Sequence, residues 1–62
     1  MSRSKVKIKQ EIIEGLEKFP MTTHGVSRYV NCHYNTAKNR LNELQNDGVL
    51  EHQEDKWRII NE

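Results

Sequence analysis

The apolar residues in the first third of the chain recur at the spacing of one helical face. They are separated by four, four and three positions: Ile8, Ile12, Leu16 and Phe19. Because residues at these spacings share one side of an α-helix, the pattern predicts a first helix from about Ser4 to Lys18. Pro20 ends this helix, since the residue before a proline is disfavoured in helical conformation. Gly15 falls inside it, although an interior glycine costs about 1 kcal/mol relative to alanine.

The segment that follows predicts a short second helix and a sharp turn. Residues 21–23 form a short extended piece, in which Thr22 or Thr23 caps the next helix. Two valines four positions apart mark that helix, from about His24 to Val30. Asn31 comes next, and asparagine tolerates the left-handed backbone conformation that a sharp turn requires.

A third helix is predicted from about His33 to Asn46. Ala37, Leu41 and Leu44 supply its apolar face, again at helical spacing. The Asp47-Gly48 pair that follows is a strong termination signal, because glycine readily adopts the left-handed conformation that often ends a helix.

The last part of the chain predicts a β-hairpin. Its strands are residues 49–52 and 56–60, joined across Glu54-Asp55. Side chains alternate across a strand, which gives the second strand an apolar face with Trp57 and Ile59. An isolated hairpin is not stable in water, so we expect this face to pack on the helices and the whole chain to form one domain.

Four asparagines form a stripe on the third helix: Asn35, Asn39, Asn42 and Asn46. At about 100° per residue, they lie opposite the apolar face. Asparagine is a mediocre helix former, so a face that is merely solvated needs only Glu, Lys or Ala. Its amide can bond an adenine edge bidentately in the major groove, or a phosphate, without adding charge. The alternative is that the stripe reflects the amino-acid composition of the source organism; Asn46, near the helix end, serves termination.

The net charge of +1 conceals an uneven distribution. Residues 1–10 and 21–42 contain no acid, and all nine acidic residues lie elsewhere. Such a distribution favours one basic face, and the alternative is chance variation in a short chain. Residues 1–3 are expected to be a flexible basic N-terminus of the single domain 1–62.

The sequence argues against catalysis. A chain of 62 residues has no room for both a scaffold and a deep substrate cavity. Its glycines are isolated, so no phosphate-binding loop is present. The candidates for a metal site or a Cys–His pair are His24, Cys32, His33 and His52. Their spacing fits no zinc pattern, and Cys32 is better explained as a small buried residue. We expect no enzyme activity, no metal, no cofactor and no small-molecule ligand.

The sequence also bears on the compartment and on self-association. A single cysteine excludes an internal disulfide and suits a reducing compartment. The first ten residues lack the apolar run of a signal peptide, and no stretch has membrane-spanning length. We expect a cytoplasmic or nucleoid-associated protein without a membrane partner. Val6 and Ile13 lie beside the apolar stripe of the first helix, as a margin of the core or as a dimer contact, and homodimerisation stays open.

The order of the predicted elements resembles the winged helix-turn-helix fold. A helix, a short strand, a second helix, a tight turn, a third helix, a glycine and a two-stranded hairpin follow one another. Asn31, Ala37, the two leucines and the Gly48-Val49-Leu50 segment fall where that fold has a turn, a small buried residue and a helix end. The KWRII strand is similar to the strand that closes the wing in MarR-like and ArsR-like transcription regulators. The resemblance implies an α/β, mainly α, fold with three helices and a C-terminal two-stranded β-hairpin wing.

The same resemblance implies sequence-specific binding of double-stranded DNA by a small transcriptional regulator, such as a repressor. Its third helix, about 33–46, would read the major groove. The implied base-reading residues are Tyr34, Asn35, Thr36, Lys38, Asn39 and Asn42. The implied phosphate-binding residues are Thr23, Arg28, Arg40, Lys5, Lys7, Lys9, Lys56 and Arg58. The alternative is a winged-helix protein–protein interaction module in a larger assembly, which would present apolar or aromatic residues on the third helix.

Overall fold

The computed structural model describes residues 4–60, which form three α-helices and one three-stranded antiparallel sheet. The elements in chain order are α1 (Lys5–Lys18), β1 (Met21–Thr22), α2 (Thr23–Tyr29), α3 (Tyr34–Asn46), β2 (Leu50–Gln53) and β3 (Lys56–Ile59). This architecture confirms the prediction of a mainly helical α/β fold. The predicted flexible segment 1–3 lies outside the described residues. Within residues 4–60, no helix has the length and apolar composition needed to cross a bilayer.

Each helix begins within one residue of its predicted start, and side-chain caps explain two of these starts. Ser4 Oγ accepts a hydrogen bond from the backbone N–H of Lys7 at 3.1 Å. Thr22 Oγ1 accepts one from the backbone N–H of Gly25 at 3.0 Å, so Thr22 is the cap of α2. A cap of this kind stabilises a helix by about 1 kcal/mol, because it satisfies an N–H group that has no partner inside the helix.

The two predicted backbone turns are confirmed. Asn31 has a φ of 58°, and Gly48 has a φ of 80°. After Asn31 the chain turns back, and the backbone N–H of Cys32 donates to the carbonyl of Ser27 at 3.0 Å. These left-handed residues end α2 and α3 and set the direction of the segments that follow.

The sheet has one strand more than the sequence predicts. The hairpin pairs as expected, with His52 opposite Trp57. β1 then adds to the other edge of β3 with Met21 opposite Trp57, which gives the strand order β1-β3-β2. The prediction of a two-stranded sheet is wrong because a two-residue strand leaves no periodic signal in the sequence. Its pairing depends instead on where the folded helices place β3.

The core lies between the three helices and the inner face of the sheet. Its buried side chains are Ile8, Ile12, Leu16, Val26, Val30, Ala37, Leu41, Leu44, Leu50 and Trp57. Trp57 is only 3% exposed, and its indole Nε1 donates to Thr23 Oγ1 at 2.8 Å. The predicted packing of Trp57 on the helices is therefore confirmed, and the hydrogen bond satisfies its polar atom. Cys32 is half-buried against this core.

Phe19 departs from the predicted apolar face of α1. Its backbone is extended, with a φ of −167° and a ψ of 154°, because the helix ends at Lys18. The side chain consequently leaves the helical face and is 53% exposed. Helical spacing is informative only while the backbone stays helical.

Gly15 allows α2 to approach α1 closely. A Cβ atom at this position would lie 2.7 Å from Cε1 of Tyr29 and 2.9 Å from Cε of Met21. The phenol of Tyr29 also accepts a hydrogen bond from Lys18 Nζ at 3.2 Å. The interior glycine, unfavourable for an isolated helix, is therefore explained by the ring packed against it.

The tip of the hairpin stores backbone strain. Glu54 and Asp55 have φ values of 51° and 70°, a conformation that tight hairpin turns usually assign to Asn-Gly. We expect Glu54→Asn with Asp55→Gly to raise the free energy of unfolding by about 1–2 kcal/mol. Urea unfolding followed by circular dichroism measures this change. The control is Glu54→Gln with Asp55→Ala, which removes the same two charges without relieving the backbone. Equal stabilisation in both variants would show that charge repulsion, rather than strain, is responsible.

Candidate nucleic-acid interface

The helix α3 has one buried face and one solvent-exposed polar face. Ala37, Leu41 and Leu44 are between 0% and 4% exposed and anchor the helix in the core. The exposed residues of the opposite side are Asn35, Lys38, Asn39, Asn42 and Asn46. The predicted asparagine stripe is thus displayed to solvent. Thr36 is half-buried beside it, and Tyr34, the first residue of α3, is 49% exposed.

The helix α2 packs against α3 and presents one cation beside it. Val26 and Ser27 are buried toward the core, and the Ser27 hydroxyl donates to the carbonyl of His24 at 2.7 Å. Arg28, which follows Ser27, is exposed. Residues 21–42 contain no acid, so no carboxylate of this segment offsets the charges of Arg28 and Lys38.

The other predicted phosphate-binding residues fall into three surroundings. Lys5 and Lys7 are exposed on the first two turns of α1. Lys56 and Arg58 are exposed on β3, where Arg58 Nη1 donates to Gln53 Oε1 at 3.2 Å. Thr23 is half-buried, and its hydroxyl oxygen accepts the Trp57 hydrogen bond. A hydroxyl that accepts one bond still has its own proton to donate to a phosphate.

Arg40 and Lys9 are engaged within the protein. Arg40 is only 9% exposed, and its Nη2 lies 2.9 Å from Glu43 Oε2. Lys9 Nζ lies 3.3 Å from the other oxygen of the same carboxylate, so Glu43 links α1 to α3. Because the Arg40 guanidinium is turned inward and neutralised, we leave Arg40 out of the proposed interface. Lys9 is a weaker candidate than Lys5 or Lys7 for the same reason.

This ion-pair network predicts a pH dependence of stability. Burial raises the pKa of Glu43, but hydrogen bonds from Lys9 and Arg40 and the charges of both cations outweigh it, so the pKa lies below its ordinary value. A lowered pKa in the folded state stabilises the protein above the unfolded-state pKa. That contribution is lost as the pH falls through the folded-state pKa.

We expect the wild type to be more stable than Glu43→Gln at neutral pH, with a gap that closes in acid once Glu43 is protonated. Urea midpoints of the two proteins, measured at several pH values from neutral to about pH 3, test this expectation. A gap that stays constant over this range would contradict it, because the difference would then not depend on the carboxylate charge.

A cleft separates the start of α3 from the hairpin. It has a volume of about 270 Å³ and is lined by Thr22, Thr23, His24, Tyr34, His52 and Asp55. The ring of His52 is stacked on the indole of Trp57, with centroids 4.2 Å apart and an interplanar angle of 3°. From the sequence, His24 and His52 are candidates only for a metal site or a Cys–His pair. Within residues 4–60, no group of three or more His, Cys, Asp or Glu side chains is placed to hold a metal ion.

Comparisons of the chain with protein families, with curated proteins and with solved structures found no match.

Proposed function

We propose that this chain is a winged helix-turn-helix domain that binds double-stranded DNA through the outer face of α3 and acts as a small transcriptional regulator. The observation that carries the proposal is the composition of that face. Asn35, Lys38, Asn39 and Asn42 are all exposed there, and no acid occurs between residues 21 and 42. A polar helix face whose exposed asparagines and lysine lie in an acid-free segment suits a polyanion with hydrogen-bonding base edges.

The asparagines and the basic side chains would make different contacts with DNA. An asparagine amide donates and accepts at once, which matches the N6 and N7 atoms of adenine in the major groove. Asn35 and Asn39 are four residues apart, so they share one stripe of α3 and would contact neighbouring base pairs. We therefore expect a half-site that contains A·T pairs. Cations around this stripe would bind phosphates and supply affinity that falls with salt.

The order of the elements supports the winged helix-turn-helix interpretation. The helix α2, a left-handed turn at Asn31, the helix α3 and the β2–β3 hairpin follow the order of that fold. In it, the second helix of the motif enters the major groove, and the preceding helix crosses the backbone. Under this proposal α3 reads the bases, Arg28 of α2 binds a phosphate, and the hairpin is the wing.

The residues of the proposed interface differ from the sequence-based set only in the phosphate contacts. The base-reading set is unchanged: Tyr34, Asn35, Thr36, Lys38, Asn39 and Asn42. The phosphate-binding set is Thr23, Arg28, Lys5, Lys7, Lys56 and Arg58, with Lys9 secondary. We propose no catalytic residue and no cofactor.

Exposed apolar side chains are the observation that favours the alternative of a protein-interaction module. Val6 is 64% exposed on α1, and Phe19 is 53% exposed beyond its end. Both lie outside α3, whose one exposed large aromatic side chain, Tyr34, is the first residue of the helix and stands at the edge of its buried face. A protein-binding α3 would carry apolar anchors at its centre. The distribution therefore favours DNA for α3 and leaves α1 as the surface for a protein partner.

The decisive experiment is a chemical-shift titration of the isotopically labelled protein with a pool of random duplexes. We expect the amide resonances of residues 34–42 and Arg28 to shift, and added salt to reverse the shifts because counterions compete for the phosphates. Exposed residues outside the proposed interface, such as Glu17 on the last turn of α1, provide the internal control. Shifts confined to α1, or no shift at low salt, would contradict DNA binding through α3.

A further inference from the structure

We infer that the cleft between α3 and the hairpin binds a DNA backbone phosphate, with His24 and His52 as ligands whose protonation makes DNA binding tighter in mild acid. The inference rests on the proposed function and adds a regulated contact to it. Neither histidine belongs to the sequence-predicted interface, and both become candidates only because the fold places them in one cleft.

The cleft is open to solvent, and its lining suits a small polar group. Its lining combines hydroxyls from Thr22, Thr23 and Tyr34 with the two imidazoles. These are donor groups of the kind that contact phosphate oxygens in protein–DNA complexes. His52 is held in place by its parallel stack on Trp57, which is itself fixed by the hydrogen bond to Thr23. One wall of the cleft is therefore rigid before any ligand arrives.

Tyr34 connects the cleft to the start of α3. It is the first residue of α3, it is half-exposed, and it lines the cleft. A helix in the major groove has a phosphate backbone on each side of it. A cleft that opens at the start of that helix, between the helix and the hairpin, therefore lies where the chain of phosphates passes.

The charges of the cleft make it a switch rather than a permanent basic site. Asp55 is the one carboxylate among the lining residues, Tyr34 contributes a neutral phenol, and the hydroxyls of Thr22 and Thr23 carry no charge. With both imidazoles neutral, the lining has a formal charge of −1 and repels phosphate. With both protonated, the charge is +1 and attracts it. Histidine is the side chain whose charge ordinarily changes between about pH 5 and pH 8.

The position of Asp55 accounts for an acidic residue at the tip of a proposed DNA-binding wing. Asp55 is exposed and adopts a left-handed backbone conformation that places it at the edge of the cleft. A lysine there would bind phosphate at every pH, whereas the carboxylate keeps binding weak until the histidines are charged. Asp55 therefore keeps the affinity for phosphate low while both histidines are neutral.

The test measures the affinity of the protein for a duplex selected from the random pool by its binding to the protein, at about pH 8 and about pH 5.5. Because two charge–phosphate contacts form, we expect the wild type to bind about tenfold more tightly at the lower pH. His24→Gln with His52→Gln should reduce this ratio to less than about twofold. The matched control is His33→Gln, since His33 is exposed and outside the cleft lining, and it should keep the ratio.

Asp55→Asn provides a second test that leaves the His52–Trp57 stack intact. Removing the carboxylate should tighten binding at about pH 8 by about twofold to fivefold, because the repulsion of phosphate is lost. An unchanged affinity of this variant at that pH would overturn the inference. Thermal unfolding of every variant confirms that the comparisons are made between folded proteins.

The remaining outcomes separate this inference from the proposed function. The cleft is not a phosphate site if DNA binding depends on salt but not on pH. The same conclusion follows if the pH dependence persists in the double histidine variant. In both cases DNA binding by α3 still stands. Absence of binding at both pH values overturns both the inference and the proposed function. Inorganic phosphate is titrated separately at the same phosphate concentration. Shifts of His24 and His52 with the duplex alone assign the site to the DNA backbone, and equal shifts with both probes overturn that assignment.

Discussion

Leu41→Ala is expected to leave much of the protein unfolded at physiological temperature. Leu41 has no exposed surface and lies at the centre of the buried face of α3. Truncating a fully buried leucine lowers the free energy of unfolding by about 2–5 kcal/mol, because burial is lost and a cavity remains. A domain of this size has roughly 3–9 kcal/mol of stability in total, so the loss is a large fraction of it.

The measurement is urea unfolding followed by circular dichroism at the helical band. Asn42→Ala is a closely matched control, because Asn42 is the next residue of the same helix and is exposed. Alanine is the better helix former, so we expect the control to be unchanged or more stable by about 0.5 kcal/mol. Similar losses in both variants would mean that α3 does not bury the face described here.

Asn35→Ala with Asn39→Ala is expected to abolish preference for A·T-containing sites while leaving non-specific DNA binding in place. Each bidentate contact to a base discriminates by about 1–3 kcal/mol, which corresponds to roughly tenfold to hundredfold in affinity. Neither asparagine carries charge, so the dependence of affinity on salt should not change. This prediction presupposes DNA binding through α3.

Fluorescence anisotropy with a selected duplex and with a scrambled duplex of equal length provides the test. The control is Asn46→Ala, an exposed asparagine on the last turn of the same helix. Its replacement should leave both affinities unchanged. If the double alanine variant retained its preference for the selected duplex, the bases would be read by other side chains or through the shape of the duplex.

The sequence predicts the helices well because their signals are local. The spacing of apolar residues, the caps at Ser4 and Thr22 and the left-handed turns at Asn31 and Gly48 each depend on a few neighbouring residues. The strand β1 is different. Its two residues belong to the sheet because β3 has a free edge beside them. The residues next to β1 in the sequence give no sign of this pairing.

The prediction that Arg40 binds a phosphate is based on its charge and does not take into account its angular position on α3. Its charge suggests a phosphate contact, yet at about 100° per residue it lies only about 60° from Ala37, on the side of the buried face. The structure buries it and pairs it with Glu43. The angle places Arg40 at the margin of the buried face, and Tyr34, at the same angular distance on the other side, is 49% exposed, so the sequence could not show that Arg40 is buried and paired with Glu43. The cleft with His24 and His52 likewise leaves no local pattern in the sequence.

The pairing of β1 with β3 has a consequence for how the protein folds. Met21 and Trp57 are neighbours in the sheet although most of the chain separates them. Closing so long a loop costs entropy before the contact contributes stability, so we expect the β1–β3 pairing to form late relative to the local helical turns and the β2–β3 hairpin. The strand β3 of the hairpin is also the central strand of the sheet, and it is hydrogen-bonded to β1 on one side and to β2 on the other. We therefore expect the backbone amides of β3 that bond to β1 and β2 to exchange with solvent mainly through global unfolding.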